Sequence, residues 1–260
     1  MTSDKYLESP ILFNRIRQEA PVELGVIENS LPIVSFGNPM TSKVVSIALN
    51  PSWKEFLKKT PSSDEKVWLD DEDRRVESLR SLGKLSAAEL TDQDVQKIVN
   101  RCHLYFQYKP YDTWFKPLNN LLQIVGGDYY QGTASHLDLV QWATTEVQGD
   151  LGPEWNMLVD QDAEFLRWQL DQTPARVVIM NGKQIVDNLI SMKIAPELAT
   201  TTLSYQKSNG SKGTFKIYLG NTGDRTFIGW NIAVQRGIPR LAREKLLSIL
   251  ESNSVASDQN

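Results

Sequence analysis

The run Val44-Val45-Ser46-Ile47-Ala48-Leu49 constrains this chain more than any other stretch. It is β-branched or small and apolar, without the polar–apolar alternation of a half-exposed strand. It therefore reads as a strand covered on both faces. Such a strand belongs inside a sheet that carries helices. It stops at Asn50-Pro51-Ser52, which leaves one amide side chain at its carboxyl end. In open α/β sheets ligands are held at that edge. Pro51 cannot donate to a ladder and fixes its own φ, and Ser52 can cap a helix that follows. Taken alone, the stretch is an ordinary strand-to-turn punctuation.

The rest of the chain alternates strand and helix. An amphipathic helix is expected around 11–19, broken by Pro21, then an edge strand and turn over 31–39. Residues 58–75 are charged and contain Pro and Ser, so they read as a mobile insertion or irregular loop. Thr91 caps a helix that runs to about Gln107, with Asp92 and Asp94 in its first turn. Another starts over 110–115, carries Leu118, Leu121, Leu122 and Val125 on one face, and stops at Gly126-Gly127.

A second central strand is expected over 136–144, a long helix over 153–172, and a third strand over 176–180 leading into a helix over 183–191. Segments 202–206 and 214–219 alternate, and Ser208-Asn209-Gly210-Ser211 between them predicts a hairpin turn. A last strand over 225–228 precedes a C-terminal helix over 239–251 and a disordered tail over 252–260. The expected fold is α/β: a three-layer α/β/α domain over 1–251, with a central, mostly parallel four-stranded sheet plus a small β-hairpin.

Composition narrows the function classes. No apolar run approaches the ~18 residues needed to span a bilayer, and residues 1–5 lack the pattern of a signal peptide. One cysteine, Cys102, excludes an internal disulfide framework and a four-cysteine metal or cluster site. With two histidines, His103 and His136, a His-rich metal site is not expected either. The expectation is a monomeric cytoplasmic protein with no metal, no cofactor and no membrane partner. A net charge of -4 argues against a wholly basic nucleic-acid coat. It leaves room for local basic surfaces, and two exist, over 54–59 and at Arg236, Arg240, Arg243 and Lys245. Charge runs of this kind are also ordinary solvated faces. No G-x-G-x-x-G, G-x-x-x-x-G-K-[ST] or G-x-S-x-G follows a strand, which disfavours dinucleotide, P-loop and serine-hydrolase chemistry.

What recurs instead is a polar tip on successive strand ends: Asn50, Asp138, Asn181 and Trp230-Asn231. On these residues the chain resembles the uracil-DNA glycosylase superfamily over roughly residues 31–250. Ala48-Leu49-Asn50-Pro51-Ser52 is similar to the family's first motif, Gly-x-Asp/Asn-Pro, whose Asp or Asn positions the hydrolytic water. Asn50 stands there, as in the mismatch-specific and thymine-DNA glycosylases. The resemblance places Tyr105, Phe106, Tyr111 and Trp114 where an aromatic stacks on the extruded base. It gives Leu49, His136 and Asp138 to base recognition. Asn181, Gly182 and Lys183 correspond to the turn that binds backbone phosphate, with Ser52 and Lys54 also on DNA. Trp230, Asn231, Gln235 and Arg236 fall in the loop that wedges into the minor groove. The last motif departs from His/Asn-Pro-Ser, so no imidazole stabilises the leaving group there, and no Tyr follows the first motif to exclude thymine.

The implied activity is a DNA glycosylase that flips out a base and hydrolyses its N-glycosyl bond through an oxocarbenium-like sugar, leaving an abasic site. Asn50 does not titrate, so it orients water without acting as a base. Asp112 and Asp138 are the candidate carboxylates, with Asp112 first. Asp112 reads equally as a helix N-terminal acid favoured by the dipole, and Asp138 reads first as a buried structural acid bonded to backbone. Trp230 suits a wedge at a base step, or packing beneath the last helix. The weakened uracil signature and the 58–74 insertion lead to an expected bulky substrate, a modified pyrimidine such as glucosylated hydroxymethylcytosine of phage DNA. The alternatives are a uracil or mismatch repair glycosylase, and a catalytically inactive nucleic-acid-binding module of the same fold.

Overall fold

The structure, a computed structural model, describes residues 6–61, 63–146, 148–207 and 209–254. Strand β1 (Val44–Ala48) is buried at every position, as its apolar composition on both faces requires. It lies within a six-stranded sheet of order β4-β1-β5-β8-β7-β6, where β4 is Ala134–Asp138, β5 Val177–Asn181, β6 Ala199–Gln206, β7 Lys212–Thr222 and β8 Arg225–Trp230. β1 pairs parallel with β5 (Val45↔Val178), and β5 parallel with β8 (Asn181↔Trp230). The sheet is mostly parallel at its centre and flanked by helices, with an antiparallel meander at one edge.

Six strands replace the four expected. The alternating segments near 202–206 and 214–219 form β6 and β7 and do not stand apart. β7 pairs antiparallel with β8 (Ile217↔Trp230, Leu219↔Ile228), which extends the sheet. The reason is one buried face: Phe215 and Ile217 need cover, and an isolated hairpin has none to offer. A separate two-stranded hairpin does exist, β2 (Leu57–Lys59) with β3 (Lys66–Trp68), inside the stretch read as a loop. Its ring contact Phe56–Trp68, at 5.8 Å, and the bond from Leu69 N to Phe56 O anchor its base. Ser208 of the expected turn and residues 255–260 of the expected tail lie outside the described residues.

Among the described residues the helices are α1 (Pro10–Ile16), α2 (Leu79–Leu82), α3 (Asp92–His103), α4 (Asp112–Leu122), α5 (Pro153–Gln172), α6 (Lys183–Ser191) and α7 (Arg240–Ser252). α3 begins where its capping box dictates, with Thr91 accepting from Asp94 N and Asp94 accepting from Thr91 N. The edge strand and turn expected over 31–39 form no named strand: residues 31–36 are buried, and Ile33 N donates to Gln141 O at 2.8 Å. The strand expected over 136–144 forms two residues earlier and ends at Asp138. Gln141 Nε2 donates back to the carbonyls of Asp138 and Leu139 (2.8 and 3.2 Å), so a side chain occupies acceptors that a longer ladder would use.

The chain forms two compact units. Unit 1 takes the described residues of Met1–Met40, Leu49–Tyr111 and Leu137–Gln172; unit 2 takes those of Thr41–Ala48, Asp112–His136 and Thr173–Asn260. Unit 1 holds α1, α2, α3, α5 and the β2–β3 hairpin, with a buried Arg15–Asp162 ion pair (2.7 Å) and the buried thiol of Cys102 in its core. Unit 2 holds β1, β5, β6, β7 and β8, with α6 packed on β5 and β8. No helix among the described residues is long and apolar enough to cross a membrane.

Candidate functional site

In unit 1, Asn50 stands directly past the end of β1. Its Nδ2 donates to Thr144 Oγ1 (3.1 Å), Pro51 O (3.2 Å) and Trp142 O (3.5 Å). Thr144 spends its own hydroxyl proton on Glu146 O at 2.7 Å, so toward Asn50 it can only accept. The orientation of the amide follows. The NH2 side is held by a set of acceptors, and Oδ1, with no partner among the described residues, is left as an acceptor at a half-buried position. The segment that grips Asn50 is itself fixed. Val140 N donates to Leu49 O (2.9 Å), Ile27 N to Ala143 O (3.1 Å), and Gln141 N to the buried Asp162 carboxylate (2.7 Å). The Arg15 guanidinium lies 5.1 Å from the Trp142 ring.

Ser52 caps a 3₁₀ turn, Trp53–Glu55, by accepting from Lys54 N. Lys54 Nζ donates to Tyr111 Oη at 2.9 Å. Glu55, in that same turn, is buried. It accepts from Tyr105 Oη at 2.7 Å, and that hydroxyl accepts in turn from Tyr111 N at 2.9 Å. Burial pushes the Glu55 carboxyl up to about 7, against the Tyr105 bond and the Arg75 charge, with Asp138 adding to the rise. Tyr105 and Phe106, expected as stacking faces, are core residues packed edge-to-face at 5.2 Å. Of the aromatics assigned to the base in this unit, Tyr111 is the half-exposed one. Asp138, at the end of β4, is buried as a structural acid would be.

In unit 2, Asp112 opens α4 and is held by two partners: Tyr130 Oη donates to Oδ1 and Lys116 Nζ to Oδ2, both at 2.6 Å. Partial burial alone would push its carboxyl up, but the Lys116 and Tyr130 bonds outweigh this and hold it below the ordinary range. It is therefore ionised at neutral pH and already engaged, as a helix N-terminal acid is. His136 is also buried: its Nδ1 lies 2.6 Å from Ser46 Oγ, which lies 2.5 Å from Tyr129 Oη, and the rings of Trp114 and Phe115 pack at 4.9 and 5.5 Å.

Asn181 ties the ends of two parallel strands together. Its Oδ1 accepts from Trp230 Nε1 and Val234 N, both at 3.0 Å; its Nδ2 donates to Gln235 Oε1 at 3.0 Å, and Gln235 Nε2 to Trp114 O at 2.9 Å. Gly182, at φ +121, makes the turn into α6, whose first residue Lys183 pairs with Asp187. Asn231 accepts from Lys216 N (2.8 Å) and donates to Thr214 O (3.2 Å), which stitches the loop to β7. The expected wedge is corrected here: Trp230 is fully buried, bonded to Asn181 and opposed by Ile217, so it packs as a core indole. Arg236 is exposed and makes no ion pair among the described residues.

No family model matches this chain, and no curated protein does. The residues themselves therefore carry the functional reading. Sequence reasoning missed Thr144 as the holder of Asn50, and Glu55 as a buried acid. Thr144 is the last residue of the strand expected over 136–144. Glu55 was hidden in a charged run. Among the described residues no group of three or more His, Cys, Asp or Glu could hold a metal ion.

Proposed function

We propose that this chain is a DNA glycosylase of the uracil-DNA glycosylase superfamily that excises a modified pyrimidine, with glucosylated hydroxymethylcytosine as the leading example. The observation that carries the reading is Asn50: an amide at the carboxyl end of a buried strand, its NH2 tied down and its Oδ1 available. An acceptor held in that way suits a water molecule whose lone pair must point at an electron-poor carbon. In N-glycoside hydrolysis the base leaves from an oxocarbenium-like sugar, and the oriented water completes the displacement. The base is reached only after it leaves the stack. Asn50 supplies orientation and no proton transfer, since an amide does not titrate near neutral pH.

The test is abasic-site formation on DNAs carrying uracil, a G·U or G·T mismatch, or glucosylated hydroxymethylcytosine. Cleavage at the glucosylated base supports the reading, while cleavage at uracil alone moves the chain to the repair branch. The absence of product on all of them overturns the enzyme. A second reading, a nucleic-acid-binding module without catalysis, draws support from Asp112, whose carboxylate is engaged by Tyr130 and Lys116. Asn50→Ala separates the two. In an enzyme it abolishes turnover and spares DNA binding; in a binding module there is no turnover to lose.

A further inference from the structure

Unit 1 treats its basic residues in two ways. Most are neutralised: Arg15 by Asp162, Arg17 by Asp92, Lys58 by Asp70, Lys59 by Asp64, Arg74 by Asp71, Lys84 by Asp94, Lys97 by Glu77 and Lys109 by Asp73. Among the described residues of that unit, Lys54, Lys66, Arg75, Arg80 and Arg101 have no carboxylate within 4.0 Å, and each of the five lies over an aromatic ring. The chain as a whole carries more acids than bases, 32 against 28, so a shortage of carboxylates does not explain the difference.

Four of these cations form a continuous series. Lys66 and Lys54 lie 5.0 and 5.6 Å from the Trp53 ring, and Lys54 lies 4.9 Å from Tyr111. Arg75 sits 5.8 Å from the same Tyr111 ring, and Arg101, whose Nε donates to Arg75 O at 2.9 Å, sits 3.6 Å from the Tyr108 ring. Every further bond they make goes to a neutral acceptor: Lys54 to Tyr111 Oη, Lys66 to Thr145 O, Arg75 to the carbonyls of Lys109 and Lys54, and Arg101 also to Arg74 O. Among the described residues no carboxylate bonds to any of the four, although Arg75 feels the charge of the buried Glu55, and the side chains are already ordered. We propose that Lys54, Lys66, Arg75 and Arg101, seated on Trp53, Tyr111 and Tyr108, are a preformed track for the phosphodiester backbone of a nucleic acid.

The physical case has three parts. Cations in a row without bonded carboxylates gain most from a polyanion, because each phosphate they neutralise releases condensed counterions. Long basic side chains normally lose rotamer freedom when they are immobilised; here ring contacts and carbonyl bonds have fixed them beforehand. Aromatic rings interleaved with the cations suit bases as well as phosphates, and Tyr108, 48% exposed, presents a face for stacking. Lys54 lies two residues after Ser52, in the same unit as Asn50-Pro51-Ser52. This inference rests on the nucleic-acid partner of the proposed function but needs no glycosylase chemistry.

Fluorescence anisotropy of labelled oligo-dT and of a duplex, each over a salt series, tests it and distinguishes single from double strands. Wild type is expected to bind one or both, with affinity falling linearly in log salt. Lys54→Gln and Lys66→Gln should each make that line shallower by about 0.7 on single strands or about 0.9 on duplex, one phosphate contact each. Lys58→Gln and Lys59→Gln, whose lysines are already paired, should leave the slope as it is. Thermal melting of each variant guards against misfolding, and Lys54→Arg should restore the slope. No binding by wild type at low salt, an unchanged slope in the folded Lys54→Gln/Lys66→Gln double variant, or equal competition by polyglutamate overturns the track. Abasic-site formation is read separately. Binding through these lysines without turnover keeps the track and discards the glycosylase, and turnover with an unaltered slope does the reverse.

Discussion

At the scale of single residues, Thr144 has the sharpest consequence. Its hydroxyl accepts from Asn50 and donates to Glu146 O, so it fixes which end of the Asn50 amide faces outward. Thr144→Val keeps the shape and removes the acceptor. Under the proposed function, kcat should fall roughly five- to tenfold, the equivalent of about 1 kcal/mol, with KM unchanged. Thr144→Ser should retain most of the rate. A Thr144→Val enzyme with wild-type kcat would show that Asn50 needs no such holder. Asp112→Asn gives a second residue-level test: if the carboxylate serves only to cap α4, stability should drop by a few tenths to about 1 kcal/mol and turnover should be unaffected.

At the scale of elements, the knot around Asn181 joins β5, β8 and the turn that follows it through one side chain. Asn181→Ala leaves Trp230 Nε1 and Val234 N without their acceptor, and orphaned groups of this kind cost about 1–3 kcal/mol each. A urea titration should show a lowered midpoint at constant slope. Gly229 is the companion case: a Cβ there would stand 2.8 Å from Val186 Cγ2 and 3.0 Å from Met180, where α6 crosses β8. Gly229→Ala should therefore destabilise by about 1–3 kcal/mol through overpacking. These elements also show what could be read beforehand. Helices α5 and α6 fall on the expected residues, because apolar stripes are local. The knot was not legible, since Asn181 and Trp230 are joined across 49 positions and a lone indole reads equally as wedge or core. The early end of β4 depended on Gln141 turning back on its own carbonyls, and β7 joined the sheet through pairing with β8. Of the candidate site, the position of Asn50 was legible from the strand that precedes it. Its holder Thr144 sits 94 residues further on.

At the scale of the whole molecule, two buried acids should shape the pH profile of stability. Glu55 rises from 4.5 to about 7 and Asp162 from 3.8 to about 6, each chiefly through burial. A raised folded value means that the folded chain binds more protons between the two limits. The associated stability is complete below the lower limit and is lost as pH climbs to the upper one. Exposed acids held low by lysine bonds, such as Asp64 and Asp73, act in the opposite sense, and only near and below 3.8. His103, pushed down by burial from 6.5 to about 4, acts in the opposite sense between those limits and offsets Glu55 there. The urea midpoint should thus decline with Asp162 up to about pH 6 and with Glu55 from about pH 6.5 to 7, while Glu55 alone contributes roughly 3 kcal/mol between pH 4.5 and 7. Glu55→Gln should flatten the upper part; a profile parallel to wild type would remove Glu55 as its cause. Cys102 adds a practical property. The chain's single thiol is buried in α3, and that burial pushes it up to about 11. An alkylating reagent should therefore find nothing to attack until that part of unit 1 opens. The speed at which unmodified protein consumes the reagent becomes an intrinsic stopwatch for local opening. A cysteine introduced at Tyr108 would be the one prompt attachment point for a dye.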